Sequence, residues 1–511
     1  MLSGGWGMVD VQCGRSYAAA KSEPLPEEVV VIKDLALRAL DAASAAGAGY
    51  ADVRFVQTRR QEISVKHGAL DGLEEDESQG LGVRVLVDGA WGFACTSDPS
   101  PDAAERAGRE AVEIARASTR VHRVPVVLGP QVTSRGQYTG PCAVDPFGIS
   151  VEDKLSLLLA AEARLRRDDV RVSAASSECS HWLKLFISTE GAEVEQEAWE
   201  TGAGLEAVAV LDGEMQRRSF PNSFGRQVMQ GGWEIVRDME LFENAPRIAE
   251  EACALLRADL CPSTTTTLIL DASQVGLQVH ESCGHPTELD RVFGMEAAYA
   301  GTSFMTPDLL GNLRYGSELV TIVADATVPG ALGTFGWDDE GVPAQRVNLV
   351  DRGMFTGYLT SRETASTQSP GSTSMGAMRA DGWSRIPLIR MTNINLEPGD
   401  SSLEEMIAGT RDGIYMSTNK SWSIDDRRLN FQFGTEMARE VKDGKLGRML
   451  RNANYAGMTP EFWNSCDAIG GRDEWRMWGL INCGKGQPGQ TMRVGHGAAP
   501  ARFQGVRVGI R

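Results

Sequence analysis

Residues 279–290, which read VHESCGHPTELD, constrain this chain most, because they concentrate side chains that bind metal ions. The chain has six histidines, and two of them, His280 and His285, lie in this stretch with Glu281 directly after the first. A neutral imidazole binds zinc well, and an adjacent carboxylate can take a proton from a water molecule that the metal activates. The pattern is His-Glu-x-x-x-His, one residue longer than the common His-Glu-x-x-His zinc motif.

The extra residue changes the geometry that a shared metal ion would need. Side chains four positions apart on a regular helix lie about 40° apart around its axis, whereas side chains five apart lie about 140° apart. His280 and His285 can therefore share an ion if the helix contains a one-residue π-turn, or if it ends between them. Gly284 and Pro286 flank His285 and leave both alternatives open. The remaining alternative is a helix end with two unrelated histidines.

A catalytic zinc site has three protein ligands and one open position, so two histidines need a third partner. Four residues downstream of His280 are candidates for that ligand: Cys283, Glu288, Cys483 and His496. The first two belong to the motif stretch, and Cys283 would lie about 60° from His280 on a helix. The last two lie in glycine-rich stretches far along the chain. Residue types and spacing alone do not choose among the four.

The order of predicted elements indicates an α+β fold with mixed sheets and long helices. At 511 residues, the chain exceeds one typical domain, so two or three folding units are expected. An N-terminal α/β unit would precede a larger, β-rich catalytic domain that carries the motif helix. The predicted divisions are a flexible extension at 1–26, an α+β domain at 27–123, a linker and α+β domain at 124–262, and a C-terminal domain at 263–511 that carries the metal motif.

Hydrophobic periodicity and residue type predict the main helices and strands. The periodicity predicts helices at residues 27–46, 101–117, 234–256 and 403–408. The β-branched run Thr264–Leu270 predicts a strand that leads directly into the motif helix. Residues 422–433 predict another strand. The glycine-rich and proline-rich region 479–509 predicts mostly loop before a last strand at 503–508, and the three acids of residues 338–340, before Gly341, predict a solvated turn.

Charge and cysteine content limit the class and compartment of the protein. The net charge is −18, which argues against a nucleic-acid-binding protein, since such proteins need clustered Lys and Arg. Nine cysteines without a C-x-x-C pair indicate a reduced, cytoplasmic protein. The first residues lack the basic and apolar regions of a signal peptide, and no apolar run approaches the roughly 20 residues of a membrane span. We therefore expect neither nucleic acid nor membrane as a partner.

Several longer strings run along the chain in a recognisable order between about Gly49 and Arg507. They are YADVRF from Tyr50, GVRVLVDGAWGFACT from Gly82, VHESCGHPTELD from Val279, DDEG from Asp338, RMTN from Arg390, RLNF from Arg428, NCGKGQPGQ from Asn482 and VGHGAAPARF from Val494. In content and order these strings resemble the TldD/PmbA family of metallopeptidases. Within it, the chain is similar to the TldD-like members that keep the metal motif.

The resemblance implies a zinc-dependent peptidase and assigns roles to particular residues. The implied zinc ligands are His280, His285 and Cys483, and the implied catalytic carboxylate is Glu281. Cys283 then occupies a variable position of the motif. Three further residues are candidates for contacts with the zinc ligands or with substrate: Glu288, His496 and Arg390. Of these, His496 and Arg390 are the candidate donors to the oxyanion.

The resemblance also carries expectations about assembly and substrate. TldD-like proteins are similar in forming dimers, either of two identical chains or with an inactive PmbA-like chain. The dimer cavity would admit unfolded or extended peptides, bound as an added strand. We therefore predict a peptidase that cleaves such peptides in this cavity, with water activated by zinc and Glu281. The alternative is a non-catalytic partner subunit that shapes the cavity or presents peptide, and the complete motif weighs against it.

Overall fold

The computed structural model describes residues 27–121, 124–486 and 489–510. The predicted flexible extension at 1–26 lies outside the described residues. Helices and mostly antiparallel sheets alternate through the rest, so the predicted α+β class is confirmed. No helix within these ranges has the length and apolar character needed to cross a membrane.

An eight-stranded sheet organises the N-terminal half. In chain order its elements are α1 (Glu27–Ala45), β1 (Tyr50–Lys66), β2 (Ala69–Val87), β3 (Ala90–Thr96), α2 (Pro101–Ser118), β4 (Arg135–Thr139), α3 (Val151–Ala163), β5 (Val170–Ser188), β6 (Glu193–Leu211), β7 (Glu214–Phe220), β8 (Gln227–Gln230), α4 (Glu234–Asp238) and α5 (Leu241–Leu256). The strand order is β3-β2-β1-β5-β6-β4, and β7 and β8 also pair with β6. Strands from both predicted N-terminal units share this sheet. The divisions at 123 and 262 stay a prediction.

Helices cover one face of this sheet in two apolar clusters. Helices α1 and α2 pack on β1, β2 and β3, while α3 and α5 pack on β5 and β6. The contact between α1 and α2 depends on Gly108, because a Cβ at this position would overlap the carbonyl oxygen of Ala39. The opposite face of the sheet is left to contact the C-terminal half of the chain.

The C-terminal half is built around a second eight-stranded sheet. Its elements are β9 (Asp259–Leu260), β10 (Thr264–Leu270), α6 (Ala272–Val279), α7 (Leu289–Val292), β11 (Ile322–Asp325), β12 (Arg346–Asp351), β13 (Met354–Phe355), α8 (Arg362–Gln368), β14 (Met378–Arg379), β15 (Leu388–Ile389), β16 (Ile394–Leu396), α9 (Leu403–Ala408), β17 (Asp412–Ile424), β18 (Asn430–Lys442), β19 (Lys445–Arg451), β20 (Asn454–Met458), α10 (Thr459–Asn464), β21 (Cys466–Ile469), β22 (Arg476–Lys485), β23 (Gln490–Ala498) and β24 (Ala501–Val508). Strands β17, β10, β24, β20 and β18 pair in a closed ring, which makes a small barrel. A four-stranded sheet, β13-β12-β11-β16, and the hairpins β14-β15 and β22-β23 lie outside the ring.

Helix α6 follows directly from barrel strand β10 and is buried along most of its length. The side chain of Asp271 caps its N-terminus by accepting a hydrogen bond from the backbone N–H of Gln274 at 2.9 Å. Gln274 also donates to the hydroxyl of Tyr455 in β20, and that hydroxyl donates to Gln278. These bonds hold α6 rigidly against the barrel, which fixes the position of the motif at its C-terminal end.

Three predicted elements are wrong in their extent. The predicted helix at 234–256 is broken into α4 and α5, because Glu240 takes a left-handed conformation with φ of 50°. The predicted strand at 422–433 contains the turn between β17 and β18. The region predicted as loop at 479–502 forms the hairpin β22-β23, because cross-strand hydrogen bonding satisfies its glycine-rich backbone.

The three acids predicted as a solvated turn are buried, so that prediction is also wrong. Asp338, Asp339 and Glu340 are each at most 1% exposed. Asp339 contacts Lys184 at 2.6 Å, and Glu340 contacts Arg84 at 3.3 Å. Both cations belong to the N-terminal sheet, so the acids form a buried ionic contact between the two halves of the chain. Buried charges are tolerated when they are paired in this way.

The buried acids predict a pH-dependent stability. Burial and the negative charge of Glu340 raise the pKa of Asp338 to about 8, whereas an unfolded Asp titrates near about 3.9. Between these two pKa values the folded protein keeps a proton that the unfolded chain has lost. The free energy of unfolding is therefore highest below the unfolded pKa, and it falls with rising pH until the pH passes the folded pKa. We expect the free energy of unfolding to fall by about 1 kcal/mol per pH unit between pH 6 and 8.

Thermal unfolding at several pH values in this range measures how steeply stability changes with pH. This slope is compared between the unaltered protein and two variants. Asp338→Asn should flatten the slope, and Asp71→Asn, at an exposed position, should leave it unchanged. Because the slopes are compared, a uniform loss of stability in either variant does not affect the result. The same slope in Asp338→Asn and in the unaltered protein would contradict the assignment.

Candidate metal centre

The regular helix ends just before the motif histidines, and a π-turn follows it. Helix α6 ends at Val279, a π-helical turn spans His280–Gly284, and a 3₁₀ turn spans His285–Thr287. Of the alternatives open from the sequence, the π-turn is the one present. The wider turn brings the rings of His280 and His285 together, with centroids 4.8 Å apart and planes at 87°.

Contacts from distant elements hold the π-turn in place. The hydroxyl of Ser282 accepts a hydrogen bond from the indole N–H of Trp463 at 2.9 Å, and its carbonyl accepts one from the Tyr315 hydroxyl at 3.0 Å. Gly284 keeps a helical conformation, with φ of −56° and ψ of −62°. Glycine is needed there for a different reason, because a Cβ would overlap the Sδ atom of Met391. The turn is therefore set by packing rather than by glycine flexibility.

Three buried side chains converge at this turn. His280, His285 and Cys483 each place a ligand atom within 4.8 Å of the others. The Sγ atom of Cys483 lies 3.7 Å from Nε2 of His285. Cys483 belongs to β22, so the hairpin brings it to the motif from almost 200 positions along the chain. Cys283, the nearer alternative, is buried in the hydrophobic core and lies outside this group.

Hydrogen bonds determine which nitrogen of His280 faces the centre. Nδ1 of His496 lies 3.2 Å from the carbonyl oxygen of Ile394, which can only accept, so His496 carries its proton on Nδ1. Its Nε2 is then the acceptor for Nδ1 of His280, at 2.8 Å. Nε2 of His280 is left with a free lone pair. Burial lowers the pKa of both imidazoles, which keeps them neutral.

His285 is oriented in the same manner by a carboxylate. Its Nδ1 lies 3.0 Å from Oε2 of Glu288, which leaves Nε2 facing Cys483. Arg291 at 3.2 Å and Lys485 at 3.5 Å contact the same carboxylate. Burial alone would raise the pKa of Glu288, but Lys485 and His285 hold that pKa well below its ordinary value. Glu288 is thus a buried, ionised acceptor that fixes the His285 tautomer.

The side chains around Cys483 favour ionisation of its thiol. Burial alone would raise the pKa of Cys483, but the nearby His285 and Arg390 side chains lower it below the ordinary value of a cysteine. Arg390 is fully buried and donates to the backbone carbonyls of Cys483 and Gln490. It therefore supports the hairpin β22-β23 at the position of Cys483.

Glu281, next to the ligand candidate His280 in the π-turn, is paired with an arginine that the sequence did not single out. Nη1 of Arg428 donates to Oε2 of Glu281 at 2.7 Å, and the two side chains are 14% and 6% exposed. Arg428, Arg291 and Lys485 are the functional candidates that sequence reasoning missed. Two of them carried a signal, since Arg428 begins the RLNF string and Lys485 follows Cys483 in the NCGK string.

The donor set suits a borderline-soft divalent metal ion. Two imidazole nitrogens and a thiolate are typical zinc ligands, and each imidazole here is oriented by a second hydrogen bond. Tetrahedral zinc would place a sulfur and a nitrogen ligand about 3.6 Å apart, and the observed separation is 3.7 Å. The residues present therefore fit a metal that is held by three protein ligands.

A cavity of about 490 Å³ lies beside the hairpin that carries Cys483. Its floor comes from the N-terminal sheet, and aromatic side chains line it: Trp182, Phe335, Trp337 and Trp383. Ile481 and Met492 of the hairpin form part of its wall. Met492 is the cross-strand partner of Cys483, so the hairpin connects the wall of this cavity with the candidate centre.

Three models of PmbA/TldA metallopeptidase domains match most of the chain: domain 1 at residues 51–115, the central domain at 144–260 and the C-terminal domain at 263–509. The chain belongs to the PmbA/TldD family of metallopeptidases. The C-terminal match contains the motif, the hairpin and the barrel, so all residues of the candidate centre lie in the metallopeptidase domain.

Relatives of this PmbA/TldD family member are named as metalloproteases. A metalloprotease of Methanocaldococcus jannaschii is 28% identical over 454 residues, which is 89% of this chain and 95% of the relative. A metalloprotease TldD homolog of Buchnera aphidicola is 28% identical over 471 residues, which is 90% of this chain and 92% of the relative. The crystal structure of TldE from Thermococcus kodakarensis superposes with a TM-score of 0.73 at 15% identity, covering 94% of this chain and 99% of that one. This last likeness shows a shared fold.

Proposed function

We propose that this chain is a TldD-like, catalytic member of its family, a zinc peptidase that cleaves unfolded or extended peptides. The observation that carries the proposal is the buried convergence of His280, His285 and Cys483 beside Glu281. A set of two oriented imidazoles, an ionisable thiol and an adjacent carboxylate is the donor set of a hydrolytic metal site. A subunit that only shaped a cavity would not need this set.

The proposed reaction divides the chemistry between the metal and the chain. Zinc, when bound by these three ligands, supplies a Lewis acid that polarises the scissile carbonyl and makes water more acidic. Glu281 takes a proton from the attacking water and later passes it to the leaving amine. His496 and Glu288 hold the two ligand imidazoles in the tautomers that direct Nε2 inward. Because the thiolate brings a negative charge to the ion, modest turnover is expected.

The cavity beside the hairpin is the proposed path of the peptide. An extended chain could lie between the N-terminal sheet and β22-β23, with its side chains against the aromatic lining. Strand-like binding uses the peptide backbone, so we expect unfolded substrates to be cleaved in preference to folded ones. We also propose that the active form is a dimer, either of two copies of this chain or with an inactive PmbA-like chain.

Metal content and peptide cleavage test the function together. The freshly purified chain should contain about one zinc per chain by elemental analysis, and it should cleave a denatured, fluorogenic peptide. Cleavage should disappear with a chelator and return with zinc. A folded chain that holds no zinc and cleaves nothing, both alone and with a co-expressed PmbA-like subunit, would overturn the proposal and favour the non-catalytic alternative.

A further inference from the structure

We propose that Arg428 is a catalytic residue that donates a hydrogen bond to the oxyanion formed from the scissile carbonyl, while it also holds Glu281. This inference rests on the peptidase function proposed above. The oxyanion needs a donor besides the metal, and Arg390 and His496 were the candidates from the sequence.

The other basic side chains around the centre donate to groups other than Glu281. Arg390 donates to two backbone carbonyls, and His496 is engaged at both ring nitrogens. Arg291 donates to Glu288 and to the carbonyl of Ala300. Lys485 donates to Asp290 and to the carbonyl of Ile389. None of these groups can turn to a substrate without breaking a buried contact.

Arg428 differs from these side chains because it contacts Glu281 and its side chain is 14% exposed. Arg390 also has an unpartnered Nε, but it is fully buried and both of its Nη atoms donate to the hairpin β22-β23. Within the described ranges, the only side-chain hydrogen bond of Arg428 goes from Nη1 to Glu281. Its Nε atom is buried and has no hydrogen-bond partner there. A guanidinium carries five N–H donors in a rigid plane, so one edge can bind a carboxylate while another remains available. A buried, unpartnered N–H next to the catalytic carboxylate indicates a position for a ligand oxygen.

The backbone at Arg428 is arranged to present this side chain. Arg428 lies in the turn between β17 and β18 with φ of 62°, a left-handed conformation that is uncommon for arginine. Asp425 stabilises the turn by accepting hydrogen bonds from the backbone N–H groups of Arg428 at 2.9 Å and Leu429 at 2.8 Å. The turn also contacts the segment that follows the motif, where Thr302 donates to Asp426. The guanidinium is thus held at a fixed place beside Glu281.

The chemical role follows from this placement. Water attacks the carbonyl carbon as Glu281 accepts one of its protons, a C–O bond forms, and the π electrons move to the carbonyl oxygen. The C–N bond then breaks as the proton passes from Glu281 to the amine nitrogen, which restores the carbonyl. Because Glu281 must lie next to the attacked carbon, a donor 2.7 Å from its carboxylate is close to the developing oxyanion.

The test separates transition-state binding from substrate binding. Arg428→Ala should lower kcat by about 10²–10³-fold with a small change in KM. Its affinity for a phosphinate peptide, which mimics the tetrahedral oxyanion, should fall by a similar factor in calorimetry. Peptide affinity should be equal in Glu281→Gln and in Glu281→Gln/Arg428→Ala, and zinc content should stay at the wild-type level. Guanidinium ions should restore part of the activity of Arg428→Ala.

Arg427→Ala is the matched control, because Arg427 is the exposed neighbour in the same turn, and it should behave as wild type. Equal losses of peptide and phosphinate affinity in Arg428→Ala, or a loss of zinc, would overturn the inference in favour of a structural role. Failure of the peptidase function itself would be seen differently. The wild type would then neither hydrolyse peptide nor bind the phosphinate, and both proposals would be overturned together.

Discussion

Replacing Glu281 with Gln is expected to lower kcat by about 10²–10⁴-fold, the contribution typical of a positioned general base. The amide keeps the size of the carboxylate and can still accept a hydrogen bond from Arg428, so the centre should remain folded. It cannot take a proton from water. Zinc content should therefore match that of the wild type while single-turnover hydrolysis of a peptide is almost lost.

Two measurements make this prediction specific to Glu281. Glu404→Gln, on the exposed side of α9, should leave both rate and zinc content unchanged. The thermal midpoint of Glu281→Gln should stay near that of the wild type, since the side chain still fills the same space. Hydrolysis at the wild-type rate in Glu281→Gln would rule out the general-base role and direct the search to another carboxylate.

Two elements were predictable to the residue because the sequence signal for each is local. The strand Thr264–Leu270 and the helix Leu403–Ala408 have the predicted bounds, because β-branched content and apolar spacing act within a few residues. The hairpin β22-β23 was not predictable in this way. Glycine-rich segments carry little local preference, and here the extended form is stabilised by a partner strand several residues away.

The buried acids show the same limit for electrostatics. Asp338–Asp339–Glu340 before a glycine is the composition of an exposed turn, and nothing nearby in the sequence reveals the cations that pair with it. Arg84 and Lys184 come from β2 and β5, on the other half of the chain. Three acids that are typical of an exposed turn are buried here because their cationic partners lie far along the chain. A local sequence pattern does not predict such a pairing.

The candidate site was partly visible for a physical reason. His280, Glu281 and His285 lie within six consecutive residues, so their spacing alone limited the geometry to a few alternatives. Cys483 lies 198 positions from His285, and Arg428 lies 147 positions from Glu281. The resemblance to the family pointed to the cysteine. The arginine is recognisable only once the turn between β17 and β18 is placed beside the motif.

Replacing Cys483 with Ala is expected to remove zinc from the protein. The change takes away the anionic ligand and leaves two neutral imidazoles in a buried centre. Loss of residues that merely orient metal ligands already weakens binding by about 10–100-fold, so loss of a ligand should weaken zinc binding by more than about 100-fold. Chelator competition and elemental analysis of the purified variant measure this directly. Hydrolysis should be lost in parallel.

Cys283→Ala is the informative comparison, because Cys283 is also buried and lies three residues after His280. It should keep about one zinc per chain, since its thiol lies outside the group formed by His280, His285 and Cys483. The reverse pattern, with zinc kept in Cys483→Ala and lost in Cys283→Ala, would require the thiol of Cys283 to turn out of the core toward the two histidines. Zinc retained in both variants would leave Glu288 and His496 as the candidates for the third ligand, and either would have to give up its hydrogen bond to a ligand histidine. The two substitutions therefore discriminate among the ligand sets that the motif alone left open.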